Sequence, residues 1–455
     1  MLDLASSRGG SRPSSYGRLY HEARSGQHLR CPRREPKSGA SSPAMSETSA
    51  EYGTATAAVP FISRLRLKNY KSIAQCDVRL GPLTILVGSN GSGKSNFLDA
   101  LEFLCRAVAT SPNQALEERG GLESVLRQVP ETCNSFSIEV EAAVPWWPAS
   151  PEIVARYGIE IGREQDSTRG IAVLHESGEL RGPDGTATFS SGGGRAELSP
   201  AGEGSHGVAS LEPDRLFLPV AGTQGAFAQL YTGLTRPRFY HFRTENLRRP
   251  QRTSRRAILR RHGDGLGDVL AALSADYLPV KARIDAYLSA IAQGATGIQA
   301  RDAGDYKTIV LNTSVEGEAF DFDSEAMSEG TVRSAAVLAA LFQPDSLNGR
   351  LPLVGIEEPE IALHPAAAGV LYDALSEASQ HVQVIATSQS ADLLDREELD
   401  PGVIRPVAMR DGLTIIGEVD DASQEIVKRK LYTLGELMRG NQLSPQTSHE
   451  VAPDA

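Results

Sequence analysis

Apolar residues change their spacing several times along the chain, and each change predicts an element. From Phe61 the run I-S-R-L-R-L-K-N-Y alternates apolar with polar positions, the period of a strand with one buried face. A second short strand at 76–80 precedes the unbroken apolar run Ile85-Leu86-Val87. Helical spacing then takes over at 95–110, where Phe97, Leu98, Leu101, Leu104 and Cys105 share one face. Alternation returns at 135–144 and 157–161. Residues 163–213, rich in Gly, Ser and Glu with apolar islands such as 171–174, predict hairpins and loops, and 214–235 has room for a helix. Two amphipathic helices broken near Pro279 are expected within 265–291, on Leu266, Val269, Leu270, Leu273 and Tyr277, then Val280, Ile284, Tyr287, Leu288 and Ile291. A hairpin at 306–322 leads to an apolar helix at 335–342. Buried strands at 351–356, 383–386, 403–407 and 413–416 finish a sheet, and a short helix follows at 424–431.

One of those strands runs into T-I-L-V-G-S-N-G-S-G-K-S, which fits G-x-x-x-x-G-K-[ST] with a strand before it and a helix after it. Glycines let such a loop turn its N–H groups toward a phosphate, and a helix opening at Lys94 aims its positive dipole end at the same point. Gly88, Ser89, Asn90, Gly91, Ser92, Gly93, Lys94, Ser95 and Asn96 are therefore the candidate nucleotide-binding residues. Lys94 would reach the β- and γ-phosphates and Ser95 would ligate Mg²⁺. The expected fold is α/β and of the P-loop type, and the expected cofactors are ATP and Mg²⁺.

Other candidates sit at the ends of later elements. Ser328 in M-S-E-G-T-V-R is a good N-cap, and a capped helix start with Gly330 beside it is a second anion site. The strand at 351–356 ends in Glu357-Glu358-Pro359-Glu360. Paired carboxylates there stand where a metal ion and a water must be oriented. The buried strand at 383–386 ends in T-S-Q-S, which contains Gln389. Gln128, after R-G-G-L-E, is a candidate for contact with Mg²⁺ or the attacking water, against the plainer reading of an exposed turn glutamine.

The 455 residues suffice for two or three domains, and 40% apolar content supports a sizeable core. No window approaches the roughly 20 apolar residues of a spanning helix, and the N-terminus lacks an apolar signal core, so a soluble, cytoplasmic protein without membrane contact is expected. Four cysteines without C-x-x-C spacing indicate neither zinc nor a disulfide framework. A net charge of −11 argues against wholesale wrapping by nucleic acid. Charge is unevenly placed, however. Between Arg236 and Arg261 stand ten arginines against one acid, Glu245, with Phe239, Tyr240 and Phe242 interleaved. Arg248, Arg249, Arg252, Arg255, Arg256, Arg260 and Arg261 are the candidate DNA-binding residues, since arginine's planar fork suits phosphate. A solvated face paired elsewhere in the fold is the competing reading. Residues 1–58 read as a disordered basic tail, with Met45 an alternative start.

Together, N-G-S-G-K-S-N-F-L-D-A-L, R-G-G-L-E, M-S-E-G-T-V-R, E-E-P-E-I-A-L-H-P and V-I-A-T-S-Q-S-A-D-L-L-D resemble ABC-type ATPases. More closely, the chain resembles the RecF-like and SMC-like AAA-type ATPases of bacteria, in the branch described with the overcoming-lysogenization-defect proteins. The resemblance runs from Phe61 to about Val419 and implies an ABC-ATPase head. Its first lobe would span 59–162 and its second 326–420, with an inserted hairpin and helical region at 163–325 and a C-terminal helix and frayed tail at 421–455. It further implies that residues 88–95 are the Walker A loop. Ser328 and Gly330 would be the signature, capping the γ-phosphate bound to a second subunit. Glu357 would hold Mg²⁺ through water, Glu358 would be the catalytic base, and 360–364 would form the D-loop, with His364 structural.

Two departures stand out. Glu357 replaces the usual aspartate, and Gln389 replaces the switch histidine, which implies slow turnover because glutamine cannot become charged. The stretch after Gln389 is short for a TOPRIM nuclease domain, and no long heptad segment separates the lobes. The leading expectation is an ATPase that dimerises around ATP and acts on DNA in repair or anti-phage defence. The alternative is an ATP-gated module controlling a separately encoded nuclease or toxin. A transporter subunit fits poorly, for want of L-S-G-G-Q.

Overall fold

The computed structural model describes residues 60–144, 153–163, 170–183, 185–199, 207–223, 225–254 and 256–446. The basic tail expected at 1–58 lies outside them, as does Arg255.

Three sheets organise these residues. The central one orders its strands Arg238–Tyr240, Leu353–Glu357, Gln383–Ser388, Leu83–Val87, Ile404–Arg410 and Leu413–Ile416. The first five are parallel and only the last is antiparallel to its neighbour. All of Leu83–Val87 is buried, as befits a strand with a neighbour on each side and helices on both faces. An eight-stranded antiparallel sheet runs Ile73–Arg79, Ile62–Tyr70, Ser135–Val144, Ile153–Gly162, Ala172–Gly182, Gly185–Gly192, Arg195–Ser199 and Gly207–Ser210. In the third sheet, Tyr306–Val315 pairs with Ala295–Ala303 on one side and with Gln251–Arg252 and Glu318–Asp323 on the other.

The helix Lys94–Ala109 fills the space between the first two sheets. Its Phe97, Leu98, Leu101 and Leu104 join Leu65, Leu67, Ile138 and Val140 in one core. Ile85, Val87, Val354 and Ile356 face the other way, onto Glu329–Phe342 and Pro365–Ala378. Glu329–Phe342 is buried from Gly330 to Phe342, so its apolar composition reflects contact all round rather than one stripe.

Within the stretch expected as hairpins and loops, Ala172–Gly182, Gly185–Gly192, Arg195–Ser199 and Gly207–Ser210 extend the antiparallel sheet. Their polar composition hides one inward face of Val173, Leu180, Ala187, Phe189 and Ala196. Glu176 is fully buried there and accepts hydrogen bonds from the Tyr157 and Ser191 hydroxyls and from the Phe217 and Leu218 N–H groups. The helix given room at 214–235 is two short ones, Leu218–Ala221 and Ala228–Thr235. The predicted helix pair at 265–291 is Leu266–Asp276 and Leu278–Ile291. Near the end, Asp421–Lys428 is followed by Leu434–Arg439, whose start carries the capping box Thr433 and Glu436. The stretch 163–325 thus contributes to all three sheets. Among the described residues no helix is long and apolar enough to cross a membrane.

Candidate nucleotide-binding site

The loop between Leu83–Val87 and the helix Lys94–Ala109 is fixed by contacts that only glycine permits. Gly93 caps the helix at φ 103°, and a Cβ there would overlap the Thr414 side chain. A Cβ on Gly88 would overlap the Val407 carbonyl. A relay of hydrogen bonds ties the loop's spine to other elements. Asn96 Nδ2 donates to Ser72 Oγ (2.7 Å), Ser72 lies 2.7 Å from Thr414 Oγ1, and Thr414 Oγ1 donates to the Ser92 carbonyl (2.9 Å). Asn96 therefore spends its amide inside the fold. Ser89, Asn90, Gly91 and Ser95 are exposed, whereas Ser92 Oγ is buried with no partner.

Lys94 Nζ donates to the Gly88 and Ser89 carbonyls, each at 2.8 Å, so its ammonium lies under the loop. Burial lowers its pKa, and the nearby Glu358 and Glu360 oppose that shift. A glycine-lined loop with a lysine beneath it fits a polyphosphate, and the exposed Ser95 hydroxyl and the glutamate carboxylates at the end of Leu353–Glu357 are oxygen donors of the type suited to Mg²⁺.

Glu357 ends the strand, and Glu358 just past it meets different partners because the chain leaves the extended conformation there. Glu358 adopts φ 44°, unusual for a residue with a Cβ, held by its N–H donating to the Thr387 carbonyl (3.0 Å) and Thr387 Oγ1 (3.2 Å). Glu360, expected only as part of a crossing loop, belongs to the same site. Its Oε1 accepts from Ser388 Oγ (2.6 Å) and the Gln389 N–H (3.0 Å), while its Oε2 is buried without a partner. Burial raises its pKa, and Glu358 adds to the shift. Arg333 is near both acids. Burial lowers its pKa against the pull of Glu329, Glu358 and Glu360, and its Nη1 donates to the Phe242 carbonyl (2.8 Å). Sequence reasoning missed Glu360 and Arg333, although each lies inside a quoted motif.

Glu357 faces the other side, over the loop helix. Its Oε2 is 3.3 Å from His241 Nδ1, and its Oε1 is 4.0 Å from Arg261 Nη2. It lines a cleft with Asp99, Glu118, Arg119, His241, Arg243, Arg261 and His262. Arg261 also binds Glu102, whose pKa burial raises to about 7 despite Arg261 and Arg119.

Ser328 caps Glu329–Phe342, its Oγ accepting from the Thr331 N–H (3.1 Å), and it is exposed. Gly330 lies so close to the Ala362 carbonyl that a Cβ would overlap it, which joins the signature segment to the turn after Glu360. His364 Nδ1 accepts from the Ala366 N–H (3.2 Å), capping Pro365–Ala378. Gln128 is exposed and donates to the Glu123 carbonyl (2.7 Å).

The arginines of 236–261 part company. Arg248 donates to the Met327 carbonyl (2.7 Å), next to Ser328, and its own carbonyl accepts from Ser324 Oγ (2.7 Å). Arg261 reaches Glu102 and Glu357. Arg249 is exposed, 3.9 Å from Glu245, and Arg252, Arg256 and Arg260 are exposed.

A mostly parallel sheet whose strand, glycine cradle and helix stand beside a strand end rich in carboxylates defines an α/β fold of the P-loop type. The chain belongs to the family described as "AAA domain, putative AbiEii toxin, Type IV TA system", whose model matches residues 83–395. It is similar to the DNA replication and repair protein RecF of Porphyromonas gingivalis, 33% identical over 108 residues, which are 23% of this chain and 29% of that one. RecF of Paenarthrobacter aurescens is 47% identical over 45 residues, 10% of this chain and 11% of that one. The chain thus matches under a third of the length of these relatives. An SMC head bound to the C-winged helix domain of ScpA aligns with TM-score 0.49 at 14% identity, over 81% of this chain and 100% of that one. Family and relatives make this an AAA-domain protein that is similar over part of its length to RecF.

Proposed function

We propose that the protein binds and slowly hydrolyses ATP with Mg²⁺, and that two copies close around the nucleotide to act on DNA. The observation that carries this reading is Lys94, seated under the glycine loop within the field of Glu358 and Glu360. Loop N–H groups would hold the β- and γ-phosphates, and Lys94 would exchange its two carbonyls for phosphate oxygens. Ser95 would hold Mg²⁺, with Glu357 joining it, and the bound ion would neutralise charge on the phosphate oxygens. Glu358 would orient the attacking water and take its proton. Glu360, by gripping the Gln389 N–H, would set where the Gln389 amide meets the γ-phosphate. The exposed Ser328 and the helix start behind it would cap the phosphate held by a second copy.

The test is ATP-dependent size measurement of wild type and Glu358→Gln, with and without DNA. Dimer formed on ATP, longer-lived in Glu358→Gln and retained on DNA, is the expected result. A chain that stays monomeric with ATP in both forms would sink the dimer.

A second reading, an ATP-gated module controlling a separate effector protein, is favoured by one observation. The edge strand Glu318–Asp323, just before the signature segment, is exposed throughout, with Phe320 at 48% and Phe322 at 43%. Co-purification with a protein partner and no affinity for DNA would select it.

A further inference from the structure

Leu353, Gly355 and Glu357 share the strand face that lies over the loop helix, where the bare Cα of Gly355 admits the Phe239 ring and Leu98. One strand step past Gly355 is Glu357, and one helical turn past Leu98 is Glu102. Two carboxylates brought together in this way repel each other unless a cation stands between them. Arg261 is that cation, with Nη1 on Glu102 Oε1 and Nη2 4.0 Å from Glu357 Oε1. Arg119 supports Glu102 from the far side at 4.0 Å, and His241 Nδ1 supports Glu357 at 3.3 Å. The carboxylates that act on Lys94 are instead Glu358 and Glu360.

We propose that Arg261 is a positioning residue for the metal end of the site: shared between Glu102 and Glu357, it holds the Glu357 carboxylate on the loop-helix face. Glu357 then turns to a magnesium nucleotide only in competition with Arg261. The inference rests on the ATPase reading above. It has a two-sided consequence. Removing the arginine leaves Glu357 beside Glu102 with no cation between them and drives it toward the metal. Neutralising Glu102 gives Arg261 wholly to Glu357 and holds it back.

The experiment titrates Mn²⁺ into the full chain saturated with a non-hydrolysable ATP analogue, in mildly alkaline buffer, with free Mn²⁺ read by electron paramagnetic resonance. Arg261→Gln is expected to tighten Mn²⁺ by about two- to fivefold and Glu102→Gln to weaken it by a similar factor, the size set by partly exposed ion pairs. Arg261→Lys should stay near wild type, and analogue binding without metal should be unchanged in all three. Shifts of the same sign, or none, overturn the proposal. If Arg261→Gln fails to fold, the near-isosteric Glu102→Gln decides alone, and unmoved Mn²⁺ binding there overturns it. A wild type that binds neither analogue nor Mn²⁺ overturns the ATPase reading itself.

Discussion

The phosphate loop and the arginine segment 236–261 are both short, dense stretches of functional residue types, yet they fold by opposite logic. In the loop, backbone conformation and close approaches that only glycine permits put each group in place. Gly93 must be left-handed to start the helix, Gly88 must be bare to pass the Val407 carbonyl, and Lys94 follows because the helix begins there. In the arginine segment, the destination of each side chain is chosen by distant partners. Arg248 goes to the Met327 carbonyl and Arg261 to acids on two other elements, while Arg252, Arg256 and Arg260 are left to solvent. Backbone-built sites are local in sequence. Charge-built ones are assembled from the whole fold.

The sharpest way to break the first half of this comparison is Glu358→Gln. Phosphate release should fall by about a hundredfold or more while ATP-analogue affinity changes little. An unchanged rate would move the base elsewhere. Next is Gly93→Ala, which adds a Cβ at φ 103° against Thr414. Chemical denaturation should show a loss of about 2–3 kcal/mol, and nucleotide binding should go with it. Wild-type stability would mean that the cradle is looser than its contacts imply.

Within the arginine segment, Arg248→Ala should cost about 1–2 kcal/mol by releasing the Met327 carbonyl, whereas Arg252→Ala should stay within about 0.5 kcal/mol. Equal effects would restore a uniform strip. Glu102 supplies a pH test of the partner side. Its carboxyl titrates near 7 in the fold against 4.5 normally, so between those values the native protein holds a proton the unfolded chain has lost. Wild-type stability should therefore fall as pH rises through that window, by about 1 kcal/mol or more, and Glu102→Gln should flatten the profile. A parallel profile in the variant would show that burial alone does not govern this group.

The same contrast explains what was legible in the sequence. Leu83–Val87, the helix start at Lys94, the Ser328 cap and the run of buried strands could be read because period and capping are local signals. Across 172–210 hairpins could be expected but not their individual strands, since the apolar residues are sparse and gain meaning only as one face of an eight-stranded sheet. At the site, Glu358 was legible from its place at a strand end. Glu360 and Arg333 were not, because their proximity depends on the Glu358 turn and on the Gly330 approach to Ala362. Nor could spacing show that Glu357 meets His241 and Arg261 while Glu358, turned by its positive φ, acts on Lys94.

The smallest effect is the one that bears on DNA. If the arginines formed a continuous strip, each would neutralise a phosphate, and every alanine substitution would lower the salt dependence of DNA binding by about one unit of slope. The fold makes a narrower expectation. Arg252→Ala, Arg256→Ala and Arg260→Ala should each lower the slope by about one unit, because these side chains are exposed. Arg248→Ala should leave it unchanged, its guanidinium being committed to the Met327 carbonyl. Fluorescence anisotropy with a labelled duplex across a salt series reads both. A slope lost equally at Arg248 would mean that DNA pulls this arginine away from the signature segment, and the two regions would then be coupled through Ser328 rather than separate.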